Sequence, residues 1–261
     1  MKVFLLTDLE GIAGVESIEQ MDRTGAAYGA ICRQLERTIN IAVETCLQNG
    51  ADVVYYLDGH GGGGNVNPGN IDPRAIRCEN IHKWNEMVQQ RAFDCQIELG
   101  AHARAGTIGG FLDHTLNSRE FFAIRHNGVE MSEVSLHATL CAKYGIPVVA
   151  VTGDEVACTQ AEEYIPGIFT GAVKSAHCRN KAKTYPNADE ILRDTIARAL
   201  QNWQSVPMIA FAEPITVEQT YYRTDFCEKV MAKCSVPYLR TDARTLQKKT
   251  EEILCYADLK F

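Results

Sequence analysis

The sequence of 261 residues has no apolar run near the ~18 residues that a membrane-spanning helix needs. Its first apolar stretch is interrupted by Asp8 and Glu10, too early for the hydrophobic region of a secretory signal. It also has no lysine- and arginine-rich run, and its net charge is −7. We therefore expect a cytoplasmic protein whose partners include neither membrane nor nucleic acid.

Several common catalytic motifs are also missing. The closest two of the ten cysteines, Cys227 and Cys234, are seven positions apart, which argues against structural zinc knuckles and dithiol redox sites. Neither HExxH nor GxSxG occurs, so the zincin and serine-hydrolase signatures are absent. The run Gly61–Gly64 is not a P-loop, and it predicts a flexible loop that either approaches a ligand or faces solvent.

Strand-like and helical patterns alternate, which predicts an α/β fold with a layered sheet and flanking helices. Ala26 to Gln48 has helical periodicity and lies between the apolar runs Val3–Leu6 and Val53–Leu57, which predict buried strands. We expect a single α/β metallohydrolase domain over residues 1–261, with a subdivision near residue 185 as the alternative.

The remaining chain contains clear local signals. Asn127-Gly128 predicts a hairpin turn, and Ser132 is a candidate N-cap for a helix reaching Tyr144. Met208–Phe211 is a candidate strand. Asp242 is expected to cap a final helix that carries Leu246, Ile253 and Leu254.

Two carboxylates, Asp8 and Glu10, directly follow the first predicted strand. Residues i and i+2 of a strand face the same side, with Cα atoms roughly 6.6 Å apart. Burying two like charges is costly without a counter-charge. A divalent metal ion at the end of this strand would supply one.

Two further predicted strands end in histidines. His60 follows Val53–Leu57, and His102 follows the apolar run Cys95–Gly100. Ligands of open α/β sheets bind beyond the carboxyl ends of the strands, and imidazole and carboxylate are zinc ligands. Each residue alone is more typical of a solvated loop, but three such strand ends together favour a metal site at this edge.

Glu133 is a possible fifth ligand, although an acidic residue in a first helical turn is often a partner of the helix dipole. Five ligands exceed the three of a mononuclear catalytic zinc and fit a two-metal centre bridged by Asp8. His114 is either a proton-transfer group or a surface residue. Arg104 either holds a substrate carboxylate or forms a structural ion pair.

Several segments of the chain, taken together, resemble those of a known family. The chain resembles the zinc-dependent D-aminopeptidases of the DppA type, the D-aminopeptidase family of a dipeptide transport operon, most strongly over residues 1–180. The order and spacing of the segments carry the resemblance. The matching segments are Asp8-Leu9-Glu10-Gly11, Asp58-Gly59-His60, His102-Ala103-Arg104, Asp113-His114-Thr115, Glu133, Gly153-Asp154-Glu155 and Ala172-Val173-Lys174.

The resemblance implies specific roles. It implies an α/β enzyme with a catalytic His114, and a homo-oligomer that is a decamer of stacked pentameric rings. Its substrates would be short peptides, often D-amino-acid peptides. Two zinc ions would be bound by Asp8, Glu10, His60, His102 and Glu133.

The function predicted from the sequence is metal-dependent hydrolysis of the N-terminal amide of short peptides by a water activated at two zinc ions. Manganese or iron would also suit these ligands. The alternatives are a two-metal phosphoesterase or another amidohydrolase, and a non-catalytic, metal-stabilised peptide-binding protein.

Overall fold

A computed structural model of the protein describes residues 1–209 and 211–261. The strands, in chain order, are β1 (Lys2–Thr7), β2 (Val53–Asp58), β3 (Ala75–Arg77), β4 (Cys95–Ala101), β5 (Phe121–His126), β6 (Val129–Glu130), β7 (Val148–Asp154), β8 (Phe169–Cys178), β9 (Lys181–Thr184), β10 (Ile215–Tyr221), β11 (Leu239–Arg240) and β12 (Thr245–Thr250). The helices are α1 (Tyr28–Gln48), α2 (Ile81–Gln89), α3 (Glu133–Lys143), α4 (Glu155–Tyr164), α5 (Ala188–Gln201) and α6 (Thr224–Met231).

A seven-stranded sheet in the order β3-β2-β1-β4-β7-β8-β9 forms the centre of the fold. All neighbouring strands are parallel except the last pair, β8 and β9. Thr7 at the end of β1 lies opposite both Asp58 of β2 and Leu99 of β4. Three adjacent strands therefore end at the same edge of the sheet, as the α/β prediction requires.

Helix α1 covers this sheet and confirms the predicted amphipathic pattern. Its apolar stripe, Ile31, Leu35, Ile39 and Val43, is buried, and the helix packs beside α5. The helix begins at Tyr28 rather than at Ala26. Burial of one apolar stripe against the sheet gives this helix most of its stability.

A second, antiparallel sheet has the order β11-β12-β10-β5-β6. Its hairpin turn is the predicted Asn127-Gly128 pair, and both residues have the positive φ that a type I′ turn needs, 49° and 85°. The Ser132 hydroxyl then accepts a hydrogen bond from the backbone N–H of Ser135, which confirms Ser132 as the cap of α3. The turn and the cap together place Glu133 in the first turn of that helix.

Side chains of both sheets belong to one hydrophobic cluster, with Val3 and Ile97 from the first and Ile124 and Val217 from the second. None of the helices in the described part of the chain is both long and apolar enough to span a bilayer.

The predicted final helix after Asp242 is wrong, because this segment is strand β12. It pairs antiparallel with β10 from Thr245 to Thr250. The Asp242 carboxylate accepts hydrogen bonds from the Arg244 backbone N–H at 2.7 Å and the Thr245 hydroxyl at 3.0 Å. A side chain that can cap a helix can equally form a turn, and the pairing with β10 decided between the two.

The predicted strand Met208–Phe211 includes Ala210, which lies outside the described residues. Its neighbours Met208, Ile209 and Phe211 have no strand structure.

His126 of β5 holds the carboxyl-terminal segment in place. Its side chain is fully buried, and Nε2 donates a hydrogen bond to the carbonyl of Leu259 at 2.7 Å. Burial lowers the pKa of His126 to about 4. The native state therefore favours neutral imidazole, whereas the unfolded chain protonates it near its ordinary pKa of about 6.5.

We expect His126 to make stability depend on pH. Its contribution is complete above pH ~6.5 and is lost as the pH falls toward ~4, by at most ~1.4 kcal/mol per pH unit. Urea unfolding between pH 4.5 and 7.5 should give a shallower pH dependence for His126→Gln than for the wild type. The exposed His177, changed to Gln, is the control that keeps the wild-type slope. Equal slopes for wild type and His126→Gln would contradict the prediction.

Candidate metal centre

The segment Asp8–Gly11 lies directly against the end of β4. The backbone N–H of Asp8 donates to the carbonyl of Leu99 at 2.7 Å, and that of Gly11 donates to Gly100 at 2.8 Å. Gly100 has a φ of +77°, and a Cβ there would lie 2.2 Å from the Asp8 carbonyl oxygen. Glycine at this position lets the two chain segments approach, so that Asp8 comes next to His102.

Asp8 lies between the two predicted histidine ligands. Its Oδ1 is 3.2 Å from Nδ1 of His60, and its Oδ2 is 3.2 Å from Nε2 of His102. Each oxygen of one carboxylate thus faces a different imidazole. This is the arrangement expected of a carboxylate that bridges two cations.

Two groups of possible ligands flank Asp8. Glu10 Oε2 is 2.8 Å from His60 Nδ1, and Glu133 Oε1 is 3.3 Å from His102 Nε2. Donor atoms of Asp8, Glu10 and His60 lie within 4.8 Å of one another. The same holds for His102, Glu133 and a third side chain, His114. The structure therefore brings all five predicted ligands together and places His114 among them.

The ring of His102 has the orientation of a metal ligand. Its Nδ1 lies 3.0 Å from the carbonyl of Ala103, to which it donates, so Nε2 carries the lone pair in the neutral ring. Nε2 is buried and, among the described residues, has no hydrogen-bond partner, although carboxylates of Asp8 and Glu133 lie near it. Burial opposes a charge on His102, yet the two carboxylates beside Nε2 raise its pKa well above the usual value and so favour a positive charge there. Either a proton or a metal ion can supply that charge, so this donor set fits a divalent metal.

His114 stands beside this ring in a strained loop. The His102 and His114 rings stack with centroids 4.0 Å apart, and His114 Nδ1 lies 2.8 Å from the carbonyl of Leu112. Nε2 of His114 faces Glu133 Oε1 at 3.8 Å and Glu10 Oε1 at 3.9 Å. Leu112 and Leu116 both have positive φ, 49° and 64°, which bulky residues rarely adopt outside functional sites.

The charges of the site favour a cation. Burial by itself would raise the pKa of Asp8 and Glu133, but a positive charge on His102, which a metal ion at Nε2 would replace, holds the Asp8 pKa well below its usual value and that of Glu133 at about 2. Burial, and then the charge of Asp8, raises the pKa of Glu10. Burial opposes the charge on His60, yet Asp8 and Glu10 raise its pKa to about 10.

The cluster lines a cavity of about 690 Å³, which suits a small ligand. Gly61 and Gly62 of the four-glycine loop form part of its wall, so this loop borders the site. At the inner end, Glu98 Oε1 accepts from Gln96 Nε2 at 2.7 Å and lies 3.2 Å from His137 Nδ1.

Comparison with known proteins decides the family. The sequence profile of peptidase family M55, the D-aminopeptidases, matches residues 1–258. The chain belongs to this family. It is 30% identical over 213 residues to the D-aminopeptidase of Bacillus subtilis (strain 168), which covers 79% of this chain and 76% of the relative.

A solved D-aminopeptidase structure has the same fold. It is the Zn-dependent D-aminopeptidase DppA from Bacillus subtilis, a self-compartmentalizing protease, at 24% identity and a TM-score of 0.90. The match covers 98% of this chain and 94% of that one. The family and the α/β fold inferred from the sequence are thereby confirmed.

Arg104 lies away from the cavity of this family member. Its Nε is 3.1 Å from Glu130 Oε2, and it borders a separate, smaller cavity with Gln160. Arg104 therefore forms a structural ion pair, which is one of the two roles that the sequence predicted for it. Its contact with a substrate carboxylate stays a prediction.

Lys174 supports the site from behind, a role that the sequence did not reveal. Its fully buried Nζ donates to the backbone carbonyls of Glu10 and Val15, both at 2.6 Å, and lies 4.8 Å from the centre of the Phe111 ring. Burial lowers its pKa to about 7. A lysine that directly follows the apolar pair Ala172-Val173 in the middle of a strand is the signal that would have marked it.

We expect Lys174→Met to destabilise both the fold and the metal site. The carbonyls of Glu10 and Val15 would lose their buried donor, which costs about 3 kcal/mol in the free energy of unfolding. Because this contact positions Glu10, zinc affinity should also fall by ~10- to 100-fold. Urea unfolding and zinc titration measure the two effects. The exposed Lys183, changed to Met, is the control, and equal behaviour of the two variants would refute this role.

Proposed function

We propose that this D-aminopeptidase family member hydrolyses the N-terminal amide bond of short peptides that begin with a D-residue, using two zinc ions. The observation that carries this proposal is the position of His102 Nε2, which lies 3.2 Å from Asp8 Oδ2 and 3.3 Å from Glu133 Oε1 and has no hydrogen-bond partner among the described residues. Family membership favours amide hydrolysis over the phosphoesterase and over a non-catalytic binding protein.

The five predicted ligands would divide between the two ions. Glu10 and His60 would hold one, His102 and Glu133 would hold the other, and Asp8 would bridge them. When bound, the ions would supply Lewis acidity, which lowers the pKa of a water molecule and polarises the amide carbonyl. Manganese or iron would fit the same oxygen and nitrogen donors, and zinc is supported by the Zn-dependent relative.

His114 would handle the proton of the leaving amine. The Leu112 carbonyl fixes the ring through Nδ1, which leaves Nε2 facing the cavity between Glu10 and Glu133. When Nε2 is protonated, it can donate to the departing nitrogen or stabilise negative charge on the carbonyl oxygen. Its ring cannot turn easily, because it is stacked on His102.

We also propose that residues 1–261 act as one catalytic domain. Helix α5, which follows residue 185, packs on β8 and α1, and this supports a single unit rather than two halves.

We further propose that the chain forms a homo-oligomer, with a decamer of stacked five-membered rings as the specific arrangement. The self-compartmentalizing Bacillus relative supports this assembly. Ile108 is 98% exposed on the loop that leads to His114, and such a side chain suits a contact between subunits. Light scattering of the wild type and of Ile108→Asp tests the assembly, and a wild-type monomer would contradict it.

The test of the catalytic proposal combines metal counting with peptide hydrolysis. Elemental analysis should find two zinc ions per chain, and D-alanyl-D-alanine should be cleaved to D-alanine. Chelation should abolish cleavage, and added zinc should restore it. Cleavage that is indifferent to chelation, or fewer than two ions in the active protein, would contradict the proposal.

Three further substrates test whether the enzyme requires a free amine, a D-residue and an amide bond. N-acetyl-D-alanyl-D-alanine and L-alanyl-L-alanine should be poor substrates, because an aminopeptidase requires a free amine and this family acts on D-residues. Hydrolysis of p-nitrophenyl phosphate in place of peptides would favour the phosphoesterase instead.

A further inference from the structure

The carboxyl-terminal segment contributes two side chains to the wall of the metal-site cavity. Tyr256 opens the 3-10 turn Tyr256–Leu259, and Lys260 follows it. Both residues line the same cavity as His102, His114 and Glu133. Neither has a role in the two-metal chemistry proposed above.

Tyr256 carries a buried hydroxyl that has no hydrogen-bond partner among the described residues. The side chain is 8% exposed, and within the described residues its hydroxyl makes no hydrogen bond. The ring is fixed by edge contact with Trp84, at a centroid distance of 5.6 Å, and by His137 at 5.4 Å. Burial, followed by the charges of Glu133 and Glu98, raises the Tyr256 pKa well above its ordinary value, so the hydroxyl keeps its proton and remains a donor.

Lys260 is a cation that forms no ion pair with the part of the chain that the structure describes. Its Nζ lies 4.8 Å from the centre of the Tyr256 ring, and no carboxylate of the described residues lies within 4.0 Å of it. Burial lowers the pKa of Lys260 from its usual value, while the charge of Glu133 opposes that shift. A partly buried ammonium without a counter-charge is unfavourable, so this position is suited to an anionic ligand.

The backbone around Lys260 is firmly held. His126 donates to the Leu259 carbonyl at 2.7 Å, and Lys248 Nζ donates to the Lys260 carbonyl at 2.5 Å. These two contacts fix the segment from the side of the second sheet. The position of Lys260 in the cavity is therefore set by the fold, which favours a binding role over a surface one.

We propose that Tyr256 and Lys260 form a subsite for the terminal carboxylate of a dipeptide substrate, an inference that rests on the proposed aminopeptidase function. A dipeptide carries that carboxylate on the residue next to the scissile amide, in the same cavity as the metal cluster. A hydroxyl donor and an ammonium together are typical partners of a carboxylate. The subsite would make the enzyme select peptides that end one residue after the cleaved bond.

Arg119 is the competing cation. It also lines the cavity, but its side chain is exposed at the mouth. An exposed guanidinium keeps its hydration and gains less from a ligand than a partly buried ammonium does. The experiment therefore compares the two residues directly.

Two substrates that differ only in the carboxylate test the subsite: D-alanyl-D-alanine and D-alanyl-D-alaninamide. For the zinc-loaded wild type, kcat/KM should favour the free acid by at least ~10-fold, mainly through KM. Lys260→Met should lower kcat/KM for the acid by ~10- to 100-fold and change that for the amide less than ~2-fold. Tyr256→Phe should lower the value for the acid by ~3- to 10-fold.

Matched variants complete the test. Lys260→Arg should retain most of the preference for the acid, because it keeps the charge. Arg119→Met should keep the preference, as should Lys249→Met, which changes an exposed lysine of β12. If Lys260→Met does not fold, Lys260→Arg and Tyr256→Phe still measure the preference.

Three outcomes would overturn the subsite: equal losses on both substrates in Lys260→Met, loss of the preference in Arg119→Met instead, or a wild type without preference. A zinc-loaded wild type that cleaves neither dipeptide contradicts the proposed function separately. Calorimetric binding of the two dipeptides then decides the subsite, which requires tighter binding of the acid by the wild type and equal binding of both by Lys260→Met.

Discussion

Replacing Asp8 by asparagine is expected to abolish zinc-dependent hydrolysis, with kcat/KM falling by at least ~10³-fold. Asp8 is the one carboxylate that lies within 3.2 Å of both His60 and His102 among the described residues. An asparagine keeps the shape but loses the negative charge, and its amide nitrogen cannot ligate a cation. Elemental analysis should show fewer than two ions per chain.

The matched control for this variant is Asp194→Asn, an exposed carboxylate on α5 that pairs with Arg198. It should keep both the metal content and the activity. If Asp8→Asn binds two ions and turns over normally, the bridging role of Asp8 is refuted, and with it the two-metal arrangement.

His114→Gln should separate catalysis from metal binding. We expect kcat to fall by ~10²- to 10⁴-fold, the usual contribution of a positioned acid or base. Both zinc ions should stay bound, because the five predicted ligands do not include His114. Steady-state kinetics together with a metal count measure the two quantities on the same preparation.

Its control is His177→Gln, since His177 is exposed on β8 and does not line the cavity. A variant of His114 that loses one zinc ion would instead make this residue a sixth ligand. That result is structurally reasonable, because His114 lies in the same group of donor atoms as His102 and Glu133. A variant with unchanged kcat would leave His114 without either role.

Strand adjacency explains why most of the candidate site could be located from the sequence. Asp8, His60 and His102 each follow an apolar run, and parallel neighbouring strands end at one edge of a sheet. The hairpin and the Ser132 cap were also readable, because positive φ and an N-cap hydroxyl restrict the residue types locally. Local chemistry and strand order are thus sufficient to place four of the five predicted ligands, Asp8, Glu10, His60 and His102, at that edge.

Segment 242–250 shows where local reasoning fails. Asp242 suits a helix cap and a turn equally well, and the choice was made by hydrogen bonds between β12 and β10, whose paired residues run from Thr220 with Thr245 to Ile215 with Thr250. The same limit applies to Arg104, whose ion pair with Glu130 depends on how a loop meets a hairpin.

The sequence by itself determined the α/β fold, the strand-end residues Asp8, Glu10, His60 and His102, and the family, because periodicity and motif order are properties of the chain alone. The tertiary structure decided that Glu133 and His114 face the same cluster, that Lys174 supports it, and that Tyr256 and Lys260 line the cavity. Several of these contacts join segments more than a hundred residues apart, such as Lys174 with Glu10 and His114 with Glu10. Packing between distant elements sets such distances, and no local pattern in the chain encodes them.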